Sequence, residues 1–277
     1  MGEPLPPHES VYEWMLDLER RRLVRRVGRL PPKLRAKLQG GLTLSMLASP
    51  YRVETQRGSI AFALLGLTSA NRATSLLSKQ PDTITWIDSF RPDSVFWDIG
   101  ANVGVYSLYA ALRSDISITA FEPAAVNYFL LTANCELNKV EDRVDCLPLG
   151  LGDSRRIERM ELSQFEPASS FSFRGKRSKP RAGRQSAFVL SMDQLIEDYG
   201  LRCPNYIKID VPHLAEEIIR GGARTLPREE VRELHIEASE ESTRDRQLIK
   251  LLEQFGFTIT GRHDRSGVTD LTLTKRV

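Results

Sequence analysis

The sequence is poor in cysteine. Its three cysteines, Cys135, Cys146 and Cys203, are scattered through 277 residues and form no CxxC pair. An odd, scattered set argues against a disulfide framework and a structural zinc site, and it is typical of proteins in a reducing compartment. We therefore expect a cytoplasmic protein that is held together by its hydrophobic core and contains no metal ion.

The sequence also lacks a long hydrophobic run. The longest mostly apolar stretch, SIAFALLGLTSA at residues 59–70, is shorter than the roughly 20 residues that a membrane-spanning helix needs. The opening MGEPLPPHES has no basic segment leading into an apolar one, as a secretory signal would. These absences predict a soluble chain with no transmembrane segment.

A large charge excess of either sign is absent as well. The formal net charge is +3; residues 1–50 hold nine Lys/Arg against five Asp/Glu, so the remaining residues sum to −1. Because the net charge is small and no NPPY-like motif for a flipped base is present, nucleic acid is not the expected partner. The local excess predicts a basic helical N-terminal arm over residues 1–50, followed by one large domain over residues 51–277.

The arm concentrates its positive charge in one short stretch. Six arginines lie between Arg20 and Arg29, within a pattern typical of an amphipathic helix. They can bind phosphate or an acidic membrane surface, but a solvated helix face is the more common meaning of such a charge run.

From residue 94 onwards the sequence alternates apolar strands with amphipathic helices. Strands are predicted at 94–100, 116–123, 143–150, 204–210, 231–238, 257–261 and 268–274, and helices at 103–113, 124–138, 214–221 and 244–256. This alternation predicts an α/β fold with a doubly wound, mostly parallel, seven-stranded sheet of the Rossmann-like kind. Only a short turn separates the last two strands, so we expect them to form an antiparallel hairpin at one edge.

An insertion over residues 154–193 interrupts this alternation and is predicted to be irregular. It contains a Ser- and Phe-rich stretch at 164–173 and then RGKRSKPRAGR at 174–184, with six Lys/Arg and no acidic residue. Insertions of this length are often lids or binding segments. The alternative, a solvated surface loop, is equally compatible with the sequence.

The segment VFWDIGANVGVYS, residues 95–107, joins the first predicted strand to its helix. Asp98 lies near the end of the apolar run, and Gly100, Asn102 and Gly104 follow at every second position. In an open parallel sheet, ligands bind beyond the carboxyl ends of the strands. Glycine and asparagine there let the backbone pass close to a ligand or adopt left-handed torsions. The segment therefore predicts a nucleotide-binding loop.

The same loop discriminates between two nucleotide cofactors. A dinucleotide fingerprint, G-x-G-x-x-G, places a pyrophosphate over the helix N-terminus, whereas this chain has D-x-G-x-N-x-G. The carboxylate of Asp98 opposes a pyrophosphate and suits a cationic group, such as the amino-acid moiety of S-adenosylmethionine.

Two further acids are candidates for the same site. Glu122 ends the second strand, 22 residues after Gly100, at a position from which an acid accepts hydrogen bonds from ribose hydroxyls. Asp153, in GLGD after the third strand, is either an acceptor for an adenine amine or a turn aspartate.

As a set, these segments resemble the FkbM family of S-adenosylmethionine-dependent methyltransferases. The matching stretches, in the family's order and spacing over roughly residues 53–262, are WDIGANVGVYSLYAA, AFEP, LLTANCELN, LGLGD, YIKIDV, IEA and LLEQFGF. The resemblance implies a class I methyltransferase fold whose cofactor site is lined by Asp98, Gly100, Asn102, Gly104 and Glu122. It also implies O-methylation of a small molecule, often a sugar or secondary metabolite.

The chain departs from the family after KID. The family continues with V-E-G, whereas this chain has Pro212 and His213 in place of Glu and Gly, which argues against a metal bound by paired acids. Asp210 remains at the strand end, facing the expected acceptor, and Glu237 remains at the end of the next strand. We predict Asp210 as the base that removes the hydroxyl proton, with His213 as its alternative or partner. The alternative interpretation of His213 is a residue at the start of a helix that faces solvent. His235 lies inside an apolar strand and is predicted to be a packed residue.

Two other functions remain compatible with the sequence. A methyltransferase fold that has lost its base at Pro212 can serve as a non-catalytic binding module. The same sheet also serves NAD-dependent oxidoreductases, although Asp98 and Asn102 argue against a dinucleotide. The sequence indicates a small-molecule hydroxyl acceptor, but it reveals neither the identity of that acceptor nor the oligomeric state.

Overall fold

The computed structural model describes residues 31–34, 36–37, 49–162, 168, 171–173, 183–211, 214–238, 242–265 and 268–276. The chain divides into two units, Met1–Ser49 and Pro50–Val277. Most of the predicted arm lies outside the described residues, as do Pro212, His213 and most of the basic segment 174–184.

The second unit is built from short strands and helices. Its strands are β1 (Tyr51–Thr55), β2 (Gly58–Phe62), β3 (Ser94–Ile99), β4 (Ile116–Phe121), β5 (Val144–Leu147), β6 (Gly150–Leu151), β7 (Arg156–Leu162), β8 (Phe171–Phe173), β9 (Gly183–Leu190), β10 (Tyr206–Ile209), β11 (Glu233–Glu237), β12 (Phe257–Arg265) and β13 (Val268–Lys275). Its helices are α1 (Leu67–Thr74), α2 (Leu76–Lys79), α3 (Pro81–Asp88), α4 (Val105–Ala111), α5 (Ala125–Asn138), α6 (Met192–Glu197), α7 (Ala215–Arg220) and α8 (Thr243–Gln254). No helix within the described ranges is long and apolar enough to span a membrane.

The central sheet has seven strands in the order β12-β13-β11-β10-β3-β4-β5. β13 is antiparallel to both of its neighbours, and the pairs from β11 to β5 are all parallel. The chain builds outward from β3 to β5, then returns to the other side of β3 through β10. This order confirms the predicted doubly wound, mostly parallel sheet and the edge hairpin, and it places the reversal of strand order between β3 and β10.

β3 lies at the centre of this sheet and is buried along its whole length. Helices cover both faces of a doubly wound sheet, so its inner strands read as continuous apolar runs. On one face Trp97 packs edge-on against Phe121, with ring centroids 5.1 Å apart. On the other face, Phe96 packs against Trp86 of α3 at 5.9 Å.

The helices predicted after β3, β4, β10 and β11 all form, each within two residues of its expected limits. α5 has Leu130, Leu131 and Cys135 buried at helical spacing, as its sequence pattern predicted. All three cysteines are free thiols, although the sulfur atoms of Cys135 and Cys146 lie 3.6 Å apart.

The elements before β3 were not predicted from the sequence. β1 and β2 form an antiparallel hairpin that packs against α5. The side chain of Asn138 accepts from the Ala61 N–H at 2.8 Å and donates to the Ala61 carbonyl at 2.7 Å. Asn134 accepts from the Ala63 N–H at 2.8 Å. These two side-chain amides therefore hydrogen-bond backbone groups at the end of β2 that pair with no other strand among the described residues. The chain then continues through α1–α3 to β3.

The prediction that residues 154–193 are irregular was wrong for the described part of the insertion. β7 and β9 form an antiparallel pair within a four-stranded sheet of order β6-β9-β7-β8. Alternate residues of β7 and β9 face inward, so Met160 and Val189 are buried, whereas Ile157 and Phe188 are exposed. The sequence obscures this alternation because charged residues occupy both faces of β7: Arg156 and Glu158 share the face of Met160, and Arg159 shares the exposed face of Ile157.

Candidate cofactor and acceptor site

The loop after β3 lies at the point where strand order reverses. The N–H groups of Gly100 and Ala101 both donate to the carbonyl of Phe121 at the end of β4, at 3.0 Å. Gly100 has a φ of 85°, and a Cβ there would lie 3.0 Å from the backbone oxygen of Asp210, after β10. Glycine therefore allows the loop to touch the ends of both neighbouring strands at once.

The second half of the loop sets the start of α4. Asn102 has a left-handed φ of 55°, a conformation that asparagine adopts more readily than most residues. Gly104 precedes α4 with a φ of 84°, and a Cβ there would lie 2.6 Å from Leu131 Cδ1 of α5. The D-x-G-x-N-x-G spacing thus corresponds to three residues with a left-handed backbone, the last of which also allows close packing against α5.

Glu122 closes the loop from the side of β4. Its carboxylate is 3% exposed and accepts from the Asn102 N–H at 2.9 Å and the Ala124 N–H at 2.8 Å. Burial raises its pKa to about 7, against the opposing effect of these two backbone donors. A carboxylate has about four acceptor positions, so this one retains capacity for hydroxyl donors.

Asp98 lies beneath the loop, near the end of β3, and is 1% exposed. Ser107 of α4 donates to Asp98 Oδ2 at 2.6 Å, while Asp98 Oδ1 is buried without a hydrogen-bond partner among the described residues. Burial raises the pKa of this carboxyl, and the charge of Lys208 opposes the shift. A buried acceptor that lacks a donor indicates that a ligand or water supplies one.

An apolar depression that is open to solvent lies beside Gly100, and the free space over it, including open solvent, is about 250 Å³. The side chains around it are almost entirely apolar and come from the ends of β3, β4 and β6 and from the start of α7. Its lining residues are Ile99, Gly100, Phe121, Pro123, Leu149, Gly150, Leu151, Val211, Leu214 and Ile218. Such a surface next to the acceptor oxygens of Glu122 suits a flat heteroaromatic base attached to a ribose.

Asp153 lies outside this lining set. It is exposed, and its Oδ1 accepts from Arg156 Nη1 at 2.9 Å. Arg156 also contacts Glu158 at 2.7 Å and Glu217 at 2.8 Å. Asp153 therefore belongs to an ion-pair cluster that joins β7 to α7, and its carboxylate is already engaged there.

Asp210 follows β10 directly and is paired with a buried lysine. Lys208 Nζ lies 3.0 Å from Asp210 Oδ2 and 4.7 Å from the centroid of the Tyr106 ring. Lys208 is 2% exposed and stands beside Asp98 in the register of β10 and β3. Its charge and hydrogen bond, reinforced by Arg72 and Lys79, lower the pKa of Asp210 to about 2 despite burial.

Glu237 ends β11 on the same edge of the sheet. Its pKa is raised, first by burial and then by the negative charges of Asp210 and Asp270. Arg265 lies 3.8 Å from Glu237, but its two close contacts, at 2.6 and 2.9 Å, are with Asp270. Asp210 and Glu237 thus lie at the same edge of the sheet, where the pKa of Asp210 is lowered and the pKa of Glu237 is raised.

His235 is a packed residue, as predicted. It is 3% exposed, its two ring nitrogens lie 2.9 Å from Thr83 Oγ1 and 3.1 Å from Thr272 Oγ1, and its ring stacks on Trp86. Burial lowers its pKa to about 4. His235 therefore stabilises the fold as a neutral imidazole rather than serving as a proton shuttle.

The structure brings together Asp98, Gly100, Asn102, Gly104 and Glu122 on one side of the reversal point, and Asp210 and Glu237 on the other. Sequence reasoning missed Lys208, although a signal was available: it is the one charged residue of β10, whose sequence is YIKI. A charge inside a strand of this kind is rarely buried without a partner. Among the described residues, no group of three or more His, Cys, Asp or Glu is placed to hold a metal ion.

Comparison with known proteins found a matching family and several relatives. Residues 98–259 match the model of the family described as the methyltransferase FkbM domain. The hexuronic acid methyltransferase AglP of Haloferax volcanii is 25% identical over 185 residues, which cover 67% of this chain and 73% of that protein. The 31-O-demethyl-FK506 methyltransferase FkbM of Streptomyces tacrolimicus is 25% identical over 201 residues, which cover 63% of this chain and 76% of that protein.

Solved structures with a related backbone were also found. The precorrin-6y C5,15-methyltransferase of Geobacter metallireducens aligns with a TM-score of 0.47 at 15% identity, over 74% of this chain and 93% of that one. The fibrillarin of Aeropyrum pernix, in complex with S-adenosyl-L-methionine, aligns with a TM-score of 0.46 at 9% identity, over 82% and 84% of the two chains.

Proposed function

The chain belongs to the FkbM methyltransferase family, and from that premise we propose that it transfers the methyl group of S-adenosylmethionine to a hydroxyl oxygen of a small molecule. Its doubly wound, mostly parallel sheet is the class I, Rossmann-like methyltransferase fold. The observation that carries the proposal is the pairing of Glu122 with the glycine loop beside an apolar pocket, at the reversal of strand order.

The residues present fit this cofactor. Glu122 offers acceptor oxygens for the ribose hydroxyls, and the apolar pocket beside Gly100 suits the adenine. The orphaned Oδ1 of Asp98 suits the ammonium of the amino-acid moiety, directly or through water. Asp153 stays a candidate for the adenine amine, but Arg156 already holds its Oδ1, so we assign it last.

When bound, the cofactor supplies a methyl group on a positively charged sulfur. The acceptor oxygen would take up this methyl, leaving the sulfur as a neutral thioether, and the hydroxyl proton would pass to a base of the protein. Placing the acceptor oxygen in line with the sulfur–methyl bond can account for much of the rate enhancement, because two reactants held in the reactive geometry no longer depend on a bimolecular encounter. The protein must therefore hold the hydroxyl and accept its proton.

Asp210 and Glu237 divide these two tasks in the proposed mechanism. Asp210 is ionised and held by Lys208, so its carboxylate is a fixed acceptor that orients the hydroxyl, but its pKa of about 2 makes it a weak base. Glu237 has a raised pKa and is the stronger base. Carboxyls whose environments push their pKa values apart commonly take separate roles in one site. His213 lies outside the described residues and keeps its place as an alternative base.

The names of the relatives support a hydroxyl-bearing small molecule as acceptor. One is named for a hexuronic acid and the other for 31-O-demethyl-FK506. Sugars and secondary metabolites are therefore the first acceptors to test.

Titration calorimetry and a methyl-transfer screen test the proposal. We expect S-adenosylmethionine and S-adenosylhomocysteine to bind and NAD not to bind, and we expect Glu122→Ala to weaken S-adenosylhomocysteine binding by about 1.5–3 kcal/mol. Mass spectrometry then follows methylation across hexoses, hexuronic acids and polyketide alcohols. NAD binding without S-adenosylhomocysteine binding would establish the oxidoreductase alternative. Cofactor binding without turnover on any acceptor would favour the non-catalytic binding module.

A further inference from the structure

The segment formed by α1 and α2 crosses the carboxyl edge of the central sheet. Midway along the segment, Arg72 Nε donates to the Ala168 carbonyl at 2.7 Å, and the Ala168 N–H donates to Asn127 of α5, which follows β4, at 2.7 Å. Just beyond the C-terminal end of the segment, Gln80 Nε2 lies 3.4 Å from Asp270, which pairs with Glu237 at the end of β11. Since β3 and β10 lie between β4 and β11, the segment passes the ends of both strands.

This segment brings two cations to the acceptor side of the site. Lys208 is paired with Asp210 at 3.0 Å, and Arg265 is paired with Asp270 at 2.6 Å. Arg72, by contrast, contacts only a carbonyl, and Lys79 has no ion-pair partner within the part of the chain that the structure describes. Neither Arg72 nor Lys79 is therefore held in an ion pair with another described residue, although both lie within electrostatic range of Asp210.

Arg72 and Lys79 lie close enough to act on the same groups. Lys79 is exposed at the surface of the site, and the partial burial of its ammonium, followed by the positive charge of Arg72, lowers its pKa. Both cations help to keep Asp210 ionised, and Arg72 also acts on Glu122. Both cations therefore lie within electrostatic range of Asp210, and Arg72 also lies within range of Glu122.

We propose that Arg72 and Lys79 bind an anionic group, a carboxylate or a phosphate, on the methyl acceptor. The proposal rests on the proposed function, because it names the substrate class of the same site. A guanidinium presents a planar pair of donors to such oxygens, and an ammonium adds a point charge. The anion compensates the two cations and fixes the acceptor so that its hydroxyl meets Asp210.

Titration calorimetry on the full chain saturated with S-adenosylhomocysteine tests the proposal. The probes are D-glucuronate, D-glucose 6-phosphate, inorganic phosphate and neutral D-glucose. We expect at least one anion to bind more tightly than D-glucose, and the double variant Arg72→Gln/Lys79→Gln to weaken that binding by about tenfold or more. D-glucuronate binding identifies a carboxylate, whereas equal binding of D-glucose 6-phosphate and inorganic phosphate identifies the phosphate alone.

A charge-matched control separates a local site from a general loss of charge. Arg91 and Lys250 are both exposed, with Arg91 before β3 and Lys250 in α8, so Arg91→Gln/Lys250→Gln removes the same charge elsewhere. The control should bind the anion as the wild type does. Acetic anhydride, a neutral reagent, provides a second readout, because the anion should protect Lys79 from acetylation.

The proposal is overturned if all four probes bind alike, if the control variant loses as much affinity as Arg72→Gln/Lys79→Gln, or if no anion protects Lys79. Repeating the anion titrations without S-adenosylhomocysteine distinguishes this failure from that of the proposed function. Loss of cofactor binding with anion binding retained rejects the methyltransferase assignment alone. If the three anions bind no more tightly than D-glucose while S-adenosylhomocysteine still binds, only the proposal of an anionic acceptor is rejected.

Discussion

Gly100 connects the two halves of the candidate site. Its positive φ turns the chain at the end of β3, and its missing side chain allows the loop to contact the backbone of Asp210. The cofactor loop and the acceptor carboxylate are therefore fixed relative to each other by backbone, whatever the side chains around them do.

Gly100→Ala tests this connection. We expect the variant to lose about 2 kcal/mol or more of unfolding free energy, because alanine is strained at this φ and its Cβ meets a carbonyl oxygen. It should also bind S-adenosylhomocysteine more weakly. Urea unfolding and calorimetry measure the two effects.

Gly256→Ala is the matched control for Gly100→Ala. Its φ of 88° is nearly the same, but a Cβ there would meet nothing within 4 Å. It should cost only the strain of the left-handed backbone, about 1–2 kcal/mol, and leave cofactor affinity unchanged. Equal losses in the two variants would show that backbone strain alone, and not the contact with Asp210, matters at Gly100.

The proposed division between Asp210 and Glu237 predicts two different kinetic phenotypes. A base must be ionised to accept a proton, so turnover should rise with pH through the raised pKa of Glu237. Glu237→Gln should abolish this rise. Asp210→Asn should keep the rise but lower kcat by about 10²-fold, because the hydroxyl is no longer oriented.

Initial rates measured against pH with one accepted substrate check this assignment. Cofactor affinity serves as the control, since neither substitution touches the pocket beside Gly100. If Asp210→Asn removes the pH dependence and Glu237→Gln does not, the roles are reversed. If neither substitution alters the profile, His213 is the remaining candidate for the base.

At the scale of elements, α6 is fixed to the turn that follows α7. Asp193, in the first turn of α6, accepts from the Thr225 N–H at 2.8 Å and from Thr225 Oγ1 at 2.7 Å. It also accepts from the Arg224 N–H at 3.1 Å. Because Leu214 and Ile218, at the start of α7 and within it, line the pocket, this buried carboxylate supports the pocket wall from behind.

Asp193→Ala should therefore destabilise the fold by about 2 kcal/mol or more, since it leaves buried donors without an acceptor. Asp198→Ala is the control: Asp198 ends the same helix, is exposed, and pairs with exposed Arg155, so its loss should cost at most about 1 kcal/mol. Chemical denaturation compares the two variants. If Asp193→Ala lowers the unfolding free energy by no more than Asp198→Ala does, the hydrogen bonds between α6 and the turn after α7 do not stabilise the fold.

Strands and helices with a clear local sequence pattern were predictable, and those without one were not. β3 and its loop were predictable because an apolar run and three turn residues at fixed spacing describe a buried strand and a left-handed turn. β7 and β9 were not, because Arg156, Glu158 and Arg159 hide the alternation around Met160. β1 and β2 depend on Asn134 and Asn138 of α5, and such long-range contacts leave no local signal.

The candidate site was predictable only in part, for the same reason. Asp98 and Glu122 follow from strand ends in a parallel sheet, whose carboxyl edge is fixed by topology. Arg72 and Lys79 reach that edge from helices that precede the sheet, so nothing near them in the sequence indicates a site. The proton affinities of Asp210 and Glu237 depend on Lys208 and on burial, which the fold alone determines.

At the scale of the whole molecule, the stability of the fold is coupled to pH through Glu122. Its pKa is raised from 4.5 to about 7 in the folded chain, so the stability that it contributes is present below about 4.5 and is lost as the pH rises to about 7. His235 acts in the opposite direction: its pKa falls from 6.5 to about 4, so its contribution is lost as the pH falls through that range.

Glu122→Gln separates these two contributions. The variant cannot ionise at this position, so its unfolding free energy minus that of the wild type should grow with pH by up to about 1.4 kcal/mol per unit, between about pH 4.5 and pH 7, and then stay constant. His235 and the other groups are present in both proteins and cancel in the difference. Saturating S-adenosylhomocysteine should flatten the loss in the wild type, because ribose hydroxyls that donate to the carboxylate favour its ionised form. Urea unfolding across this pH range, with and without S-adenosylhomocysteine, measures the effect, and parallel profiles for the two proteins would show that Glu122 ionises at its ordinary pKa despite its burial.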